Sequence, residues 1–94
     1  MAETHVSDNT ERHRFEITAD GKHAGFAEYV LTEGRIELTH TVVDDAFEGK
    51  GIGGTLVKAA LDSARDRGLA VVPTCPFVRS YVERHPAYAD LVAG

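Results

Sequence analysis

The sequence predicts an α/β fold (α+β in some schemes): a mixed sheet with an antiparallel N-terminal meander, one βαβ crossover and two main helices. Three observations predict it. Residues 14–43 fall into three strand-like runs separated by the turn signals Asp20-Gly21 and Glu33-Gly34. A glycine-rich turn then leads into a helical run with one apolar face. The apolar run Leu69-Ala70-Val71-Val72 follows that helix, as the buried parallel strand of a βαβ unit does.

Met1 to Arg12 is polar, with one valine (Val6) and no periodicity. Residues 1–12 are therefore expected to form a flexible tail, and residues 13–94 a single domain. Arg14-Phe15-Glu16-Ile17-Thr18 alternates polar and apolar residues, the pattern of a half-buried strand. Asp20-Gly21 turns the chain into a second strand, His23 to Thr32. Arg35 to Val43 alternates again, with Ile36, Leu38, His40 and Val42 on one face and Glu37, Thr39, Thr41 and Val43 on the other.

The loop Asp44–Gly51 precedes a helix from about Ile52 to Arg67. Ile52, Leu56, Ala60 and Ala64 stack at i, i+4, with Val57 and Leu61 beside them. Lys58 and Asp62 pair on the outer face, Arg65 and Arg67 suit the negative end of the helix dipole, and Gly68 suits its end. Pro73-Thr74-Cys75-Pro76 stops the next strand. Pro76 fits the first position of a second helix, with Thr74 or Cys75 at its cap. Phe77, Val78, Tyr81 and Val82 give that helix an apolar face, and His85-Pro86 ends it. Tyr88 and Leu91 are expected to anchor the short segment beyond.

Composition narrows the function classes. The chain has 94 residues, 43% hydrophobic and 27% charged, as an ordinary globular domain does. No apolar run reaches the length of a membrane span, and the N-terminus lacks the apolar stretch of a signal peptide. The single cysteine, Cys75, excludes an internal disulfide and suggests a reducing, cytoplasmic setting. The net charge is −5, with 11 acidic against 4 basic residues in the first 48 positions. That balance argues against a nucleic-acid partner. No aromatic-rich patch marks an oligomer interface, so a monomer is expected. The five histidines show no metal-binding spacing, and no metal is assigned.

The turn Glu48-Gly49-Lys50-Gly51-Ile52-Gly53-Gly54-Thr55 carries the chemistry. Strand, glycine turn and helix together aim backbone N–H groups at an anion. A P-loop is excluded because Thr55 follows Gly54 directly and the lysine is missing. The dinucleotide spacing G-x-G-x-x-G matches at Gly49, Gly51 and Gly54, but the next strand ends in Pro73 and Thr74 where an acidic residue is required. Cys75, at a helix start, has surroundings that favour a thiolate. His40, on a mostly apolar strand face, is either a hydrogen-bonded core residue or a base.

Glu48-Gly49-Lys50-Gly51-Ile52-Gly53 resembles the R/Q-x-x-G-x-G/A motif of the GNAT superfamily of acetyltransferases. The chain most resembles a small subfamily of minimal, single-domain N-acetyltransferase-like proteins. His40-Thr41-Val42-Val43, the turn Phe47–Gly53, and Pro73-Thr74-Cys75-Pro76-Phe77-Val78 with Tyr81 and His85-Pro86 carry that likeness, which spans Arg14 to Leu91. It implies a GNAT-like fold and acetyl-CoA as cosubstrate. The pyrophosphate is expected at Glu48, Gly49, Lys50, Gly51, Ile52, Gly53, Gly54 and Thr55, and the pantetheine arm along backbone groups of Val42 and Val43. Lys50 either meets the phosphates or is solvated. Glu48 stands where larger relatives often have Gln or Arg, and orients the loop instead. The strands that shape the acceptor pocket of larger relatives are expected to be absent.

The resemblance also implies that Cys75 lies near the thioester, as a covalent acetyl carrier or an aid to direct transfer. Acetyl transfer from acetyl-CoA to a primary amine, on a small molecule or a peptide, is the expected activity, with Cys75 and His40 as catalytic residues. A non-catalytic acyl-CoA-binding module is the alternative. A small interaction domain without a cofactor is the third reading, and the glycine turn argues against it.

Overall fold

Polar and apolar residues alternate from Arg14 to Ala19, and Phe15, Ile17 and Ala19 all turn into the core of the computed structural model, which describes residues 3–93. This is strand β2 (Arg14–Ala19). The hairpin turn at Asp20-Gly21 leads to β3 (Lys22–Thr32), and a second turn leads to β4 (Arg35–Val43). The helix α1 (Ile52–Asp66) follows the glycine turn, then β5 (Ala70–Pro73) and the helix α2 (Pro76–Arg84). A 3-10 turn over Pro86–Leu91 closes the chain, and Val92 bridges Val71 in parallel.

Residues 4–9 correct the expectation of a flexible tail over 1–12. Thr4–Asn9 is a strand, β1, paired antiparallel with β2. Val6 packs on the core, and the buried Tyr29 hydroxyl donates to the Asp8 carboxylate at 2.5 Å. Positions 1 and 2 of the expected tail lie outside the described residues. The sheet runs β1-β2-β3-β4-β5, antiparallel except for the parallel pair β4–β5. The predicted mixed α/β architecture, with meander, crossover and two main helices, is the one observed.

Both helices lie on one side of the sheet. The apolar face of α1 (Ile52, Leu56, Val57, Ala60, Leu61, Ala64) meets Ile17, Ala27, Tyr29, Ile36, Leu38 and Val71, and α2 adds Val78, Tyr81 and Val82. A fully buried aliphatic side chain of this kind stabilises the fold by about 1.5–3 kcal/mol. Arg65 ties the C-terminal turn to α1 through Asp90 and the Ala87 carbonyl, and the Tyr88 hydroxyl donates to Asp62 at 2.7 Å. Among the described residues no helix covers the opposite face of the sheet, and Val30 and Val42 on it are 48% and 42% exposed.

One irregularity decides how the site is built. Tyr29 pairs with Leu38, but Glu28 pairs with His40, so β4 carries one extra residue, Thr39, at a bulge. The bulge shifts the alternation by one. His40 and Val42 therefore do not share the face of Ile36 and Leu38, which corrects the sequence-based alternation. Ile36 and Leu38 are in the core, while the His40 side chain is 72% exposed and lies 3.8 Å from Glu28 on the open face. Thr41 and Val43 take the helix side.

Candidate active site

The pairing of β4 with β5 stops at Leu38 and Pro73. Proline cannot extend a ladder, and the chain turns away at Pro73-Thr74-Cys75-Pro76. The Cys75 N–H bonds the Leu38 carbonyl at 2.9 Å and the Thr74 hydroxyl bonds Glu37 at 2.5 Å, and one side-chain contact reaches further, from the Cys75 Sγ to the Thr41 hydroxyl. Among the described residues no strand pairs with β4 on that side from Thr39 to Val43. The sheet therefore opens into a notch.

Backbone directions along this edge follow from the ladder. The Asp44 N–H donates to the Ala24 carbonyl at 2.8 Å. In an antiparallel pair, residues two apart point their backbone groups the same way. Val42 and His40, paired with Phe26 and Glu28, thus direct theirs at β3, while Thr41 and Val43 direct theirs into the notch. Val42, expected as a backbone partner for a ligand, instead spends its backbone groups on β3, and the groups that face the notch are those of Thr41 and Val43. A β-carbon on Gly25 would strike the Val42 carbonyl, so Gly25 is what lets β4 lie this close to β3.

The glycine turn faces the same notch. A cavity of about 450 Å³ is lined by Thr41 and Val43 on β4, Phe47, Glu48, Gly49 and Gly51 on the turn, Ile52, Gly53 and Gly54 on α1, and Phe77 on α2. Gly51 caps α1 at φ 75°, a left-handed conformation that other residues rarely adopt. The Thr55 N–H is the one that returns to the Gly51 carbonyl, at 3.1 Å. The N–H groups of Ile52, Gly53 and Gly54 thus precede the first helical bond, and neither a side-chain cap nor an acidic residue stands in that turn. This is a helix terminus fit for an anion. Glu48 is exposed and lines the mouth. Lys50 is exposed, with its ammonium 5.9 Å from the Phe47 ring centroid. The Thr55 hydroxyl donates to the Gly51 carbonyl at 3.1 Å, on the exposed side of the turn.

Cys75 is the cap residue of α2, with Pro76 next to it. Its side chain is buried, 6% exposed, and the Sγ lies 3.5 Å from the Thr41 hydroxyl. Burial pushes the thiol up, but the Thr41 hydroxyl and the N–H groups of Val78, Phe77 and Thr41 outweigh it and hold Cys75 below its ordinary value. The structure thus brings Cys75, Thr41, Val43 and the glycine turn together. It sets His40 apart, with its ring on the open face.

Sequence reasoning missed Thr41, Phe47 and Phe77 as wall residues. Thr41 has no signal of its own, because its direction depends on the bulge. Phe77 was expected on the buried face of α2, yet it is 40% exposed and lies across Gly53.

Comparison with known proteins agrees with this geometry. The family model for GCN5-related N-acetyl-transferase matches residues 14–91. Protein NATD1 of Xenopus tropicalis is 34% identical over 84 residues, covering 86% of this chain and 76% of that protein. Protein NATD1 of Homo sapiens is 34% identical over 83 residues, covering 86% and 74%. Among solved structures, a GCN5-like protein from Staphylococcus aureus superposes with a TM-score of 0.73 at 25% identity, over 96% of this chain and 88% of that one. The ribosomal-protein-S18-alanine N-acetyltransferase of Escherichia coli shares the fold, with a TM-score of 0.67 at 19% identity over 89% and 76%.

Proposed function

The chain belongs to the GCN5-related N-acetyltransferase family, and we propose that it transfers an acetyl group from acetyl-CoA to a primary amine. One observation carries this reading. The free N–H groups of the glycine turn, the unpaired β4 edge at Thr41 and Val43, and the Cys75–Thr41 contact flank a single cavity and notch.

The residues present fit the cosubstrate. The first turn of α1 offers backbone donors and no competing carboxylate to a pyrophosphate. Lys50 adds a cation beside Phe47 of the cavity wall. Thr41 and Val43 offer strand-like backbone groups to the amides of a pantetheine arm. In the reaction, the amine nitrogen attacks the thioester carbonyl carbon, the C–S bond breaks, and CoA leaves as a thiolate. Backbone N–H groups of β4 beyond the bulge receive the charge that develops on the carbonyl oxygen. His40 takes the proton of an amine that arrives from the open face. Cys75 supports a two-step variant: its thiolate accepts the acetyl group, CoA thiolate leaves, and the amine then takes the acetyl from sulfur.

Calorimetry with acetyl-CoA tests the reading, and no binding at millimolar ligand would sink it. Mass spectrometry after acetyl-CoA treatment separates the two routes. One added acetyl group, absent in Cys75→Ala, identifies the carrier, and an unmodified wild type leaves direct transfer. Binding without acetylation of any amine in a broad screen turns the protein into a CoA-binding module.

A further inference from the structure

The face of the sheet opposite the helices is large, uncovered and chemically patterned. Cross-strand register sets its rows. Phe26 lies between Glu16 and Val42, and Glu28 lies between Arg14 and His40. Val30 lies beside Glu37. Apolar and acidic side chains thus alternate across three strands, with Val42 and Val30 largely exposed.

Two arginines stand on this face: Arg35, exposed opposite Thr32 at the start of β4 and away from the notch, and Arg14. The Arg14 guanidinium bonds Glu16 at 2.8 Å and rests 4.4 Å over the Phe26 ring. Glu28, with Arg14 on one side turned to Glu16, lies 3.8 Å from the exposed His40 on the other. At the rim, the Arg79 guanidinium is held by the carbonyls of Pro73 and Thr74. Glu28 and Glu37, the open-face carboxylates nearest the notch, have no arginine bound to them. Over β2 to β4 this face carries Glu16, Glu28 and Glu37 against Arg14 and Arg35, and Arg14 is bound to Glu16.

The notch joins this face to the cavity. Glu37 borders it on the open side through its bond to Thr74, and Thr41 borders it on the helix side through Cys75. We infer that the open face docks the acceptor itself, as an extended basic segment of a protein that alternates cationic and apolar residues. Its cationic side chains meet Glu28 and Glu37, its apolar ones cover Val30, Phe26 and Val42, and one amine enters the notch. The inference rests on the acetyl-transfer reading and names the acceptor class. A compact polyamine satisfies the carboxylates but leaves the apolar rows exposed, which favours the segment.

The test uses the full chain, isotope-labelled for NMR. The probes are a capped hexapeptide of alternating lysine and valine, its glutamate–valine twin, and spermine. Amide shifts on the basic peptide are expected along Phe26, Glu28, Val30 and Val42. Affinity should fall at least tenfold in Glu28→Lys with Val30→Lys, and also in high salt. Acetyl-CoA calorimetry on the same variant should stay within about twofold, since neither residue lines the cavity. If the double variant fails to fold, the exposed Val30→Lys alone should still weaken the peptide several-fold.

Several outcomes overturn the inference: no shifts, shifts on the helix side, equal binding of the acidic twin, or spermine matching the peptide in pattern and affinity. A dimer in sedimentation whose contact covers Phe26 and Val42 assigns the face to a second copy, and overturns it too. A peptide that binds here but is never acetylated in the presence of acetyl-CoA also does so. Failure of acetyl-CoA to bind at all is a separate result, and strikes the acetyl-transfer reading first.

Discussion

The ring of Phe77 lies across the first turn of α1, with its tip 2.7 Å from where a β-carbon on Gly53 would sit. The absence of that one carbon lets an aromatic from α2 wall the cavity above the glycine turn. Gly54, one residue on, would place its β-carbon 3.7 Å from Tyr81, an ordinary contact. Gly53→Ala is expected to displace the ring and weaken acetyl-CoA binding about tenfold, roughly 1.4 kcal/mol. Gly54→Ala should leave binding within about twofold and add up to about 1 kcal/mol of stability, since alanine is the better helix former. Calorimetry and thermal melts of the two variants check this contrast.

Cys75 should titrate early. Burial raises its thiol, and the Thr41 hydroxyl with the surrounding N–H groups overcomes that, so the folded value lies below the unfolded one. In the window between them the unfolded chain binds more protons. Stability therefore rises with pH across the window, and this contribution is lost as pH falls through the folded value. Thiolate ultraviolet absorbance, taken as wild type minus Cys75→Ala, is expected to show a lower midpoint in the folded protein than in the denatured chain. Thr41→Val should move it upward, and a midpoint unmoved by that change removes Thr41 from the account.

Tyr29 gives the opposite sign. Burial first, then its bond to the Asp8 carboxylate, pushes the phenol up to about 12. Its contribution to stability is complete below the unfolded value near 10 and fades as pH rises toward the folded one. The melting temperature should fall above about pH 10, and less so in Tyr29→Phe. At neutral pH that variant should lose about 1 kcal/mol, with β1 fraying first in hydrogen exchange.

His40 separates a chemical role from a structural one. Its side chain is 72% exposed, so His40→Gln should change stability by less than about 0.5 kcal/mol. If it takes the amine proton, turnover should fall about 100-fold while acetyl-CoA binding holds. Equal turnover in the variant assigns the proton to solvent.

Much of this protein is legible in its sequence. Arg35 to Val43 was bounded by alternation alone, because the turn at Glu33-Gly34 and the end at Asp44 are local signals. Ile52 to Asp66 was legible from its i, i+4 apolar stack, and the helix start at Pro76 from the restriction that proline places on φ. The glycine turn was legible as a strand-to-helix turn because its spacing is itself the geometry. Two things were not legible. Thr4–Asn9 is an edge strand with one apolar anchor, so pairing with β2 and Tyr29 places it there, not its own pattern. The bulge at Thr39 is set by how β3 and β4 meet, so nothing within the strand announces that His40 and Thr41 exchange faces.

The notch has one more consequence. An unpaired strand edge normally invites another chain to add itself, the first step of many aggregates. Here the bare edge at Thr41 and Val43 is short, recessed under Phe77, and followed by Pro73 and Pro76 on the facing segment. Neither proline can donate a ladder hydrogen bond, so the facing segment offers the edge no second strand. The feature that keeps the sheet from finishing itself thus also keeps its bare edge down to a few residues.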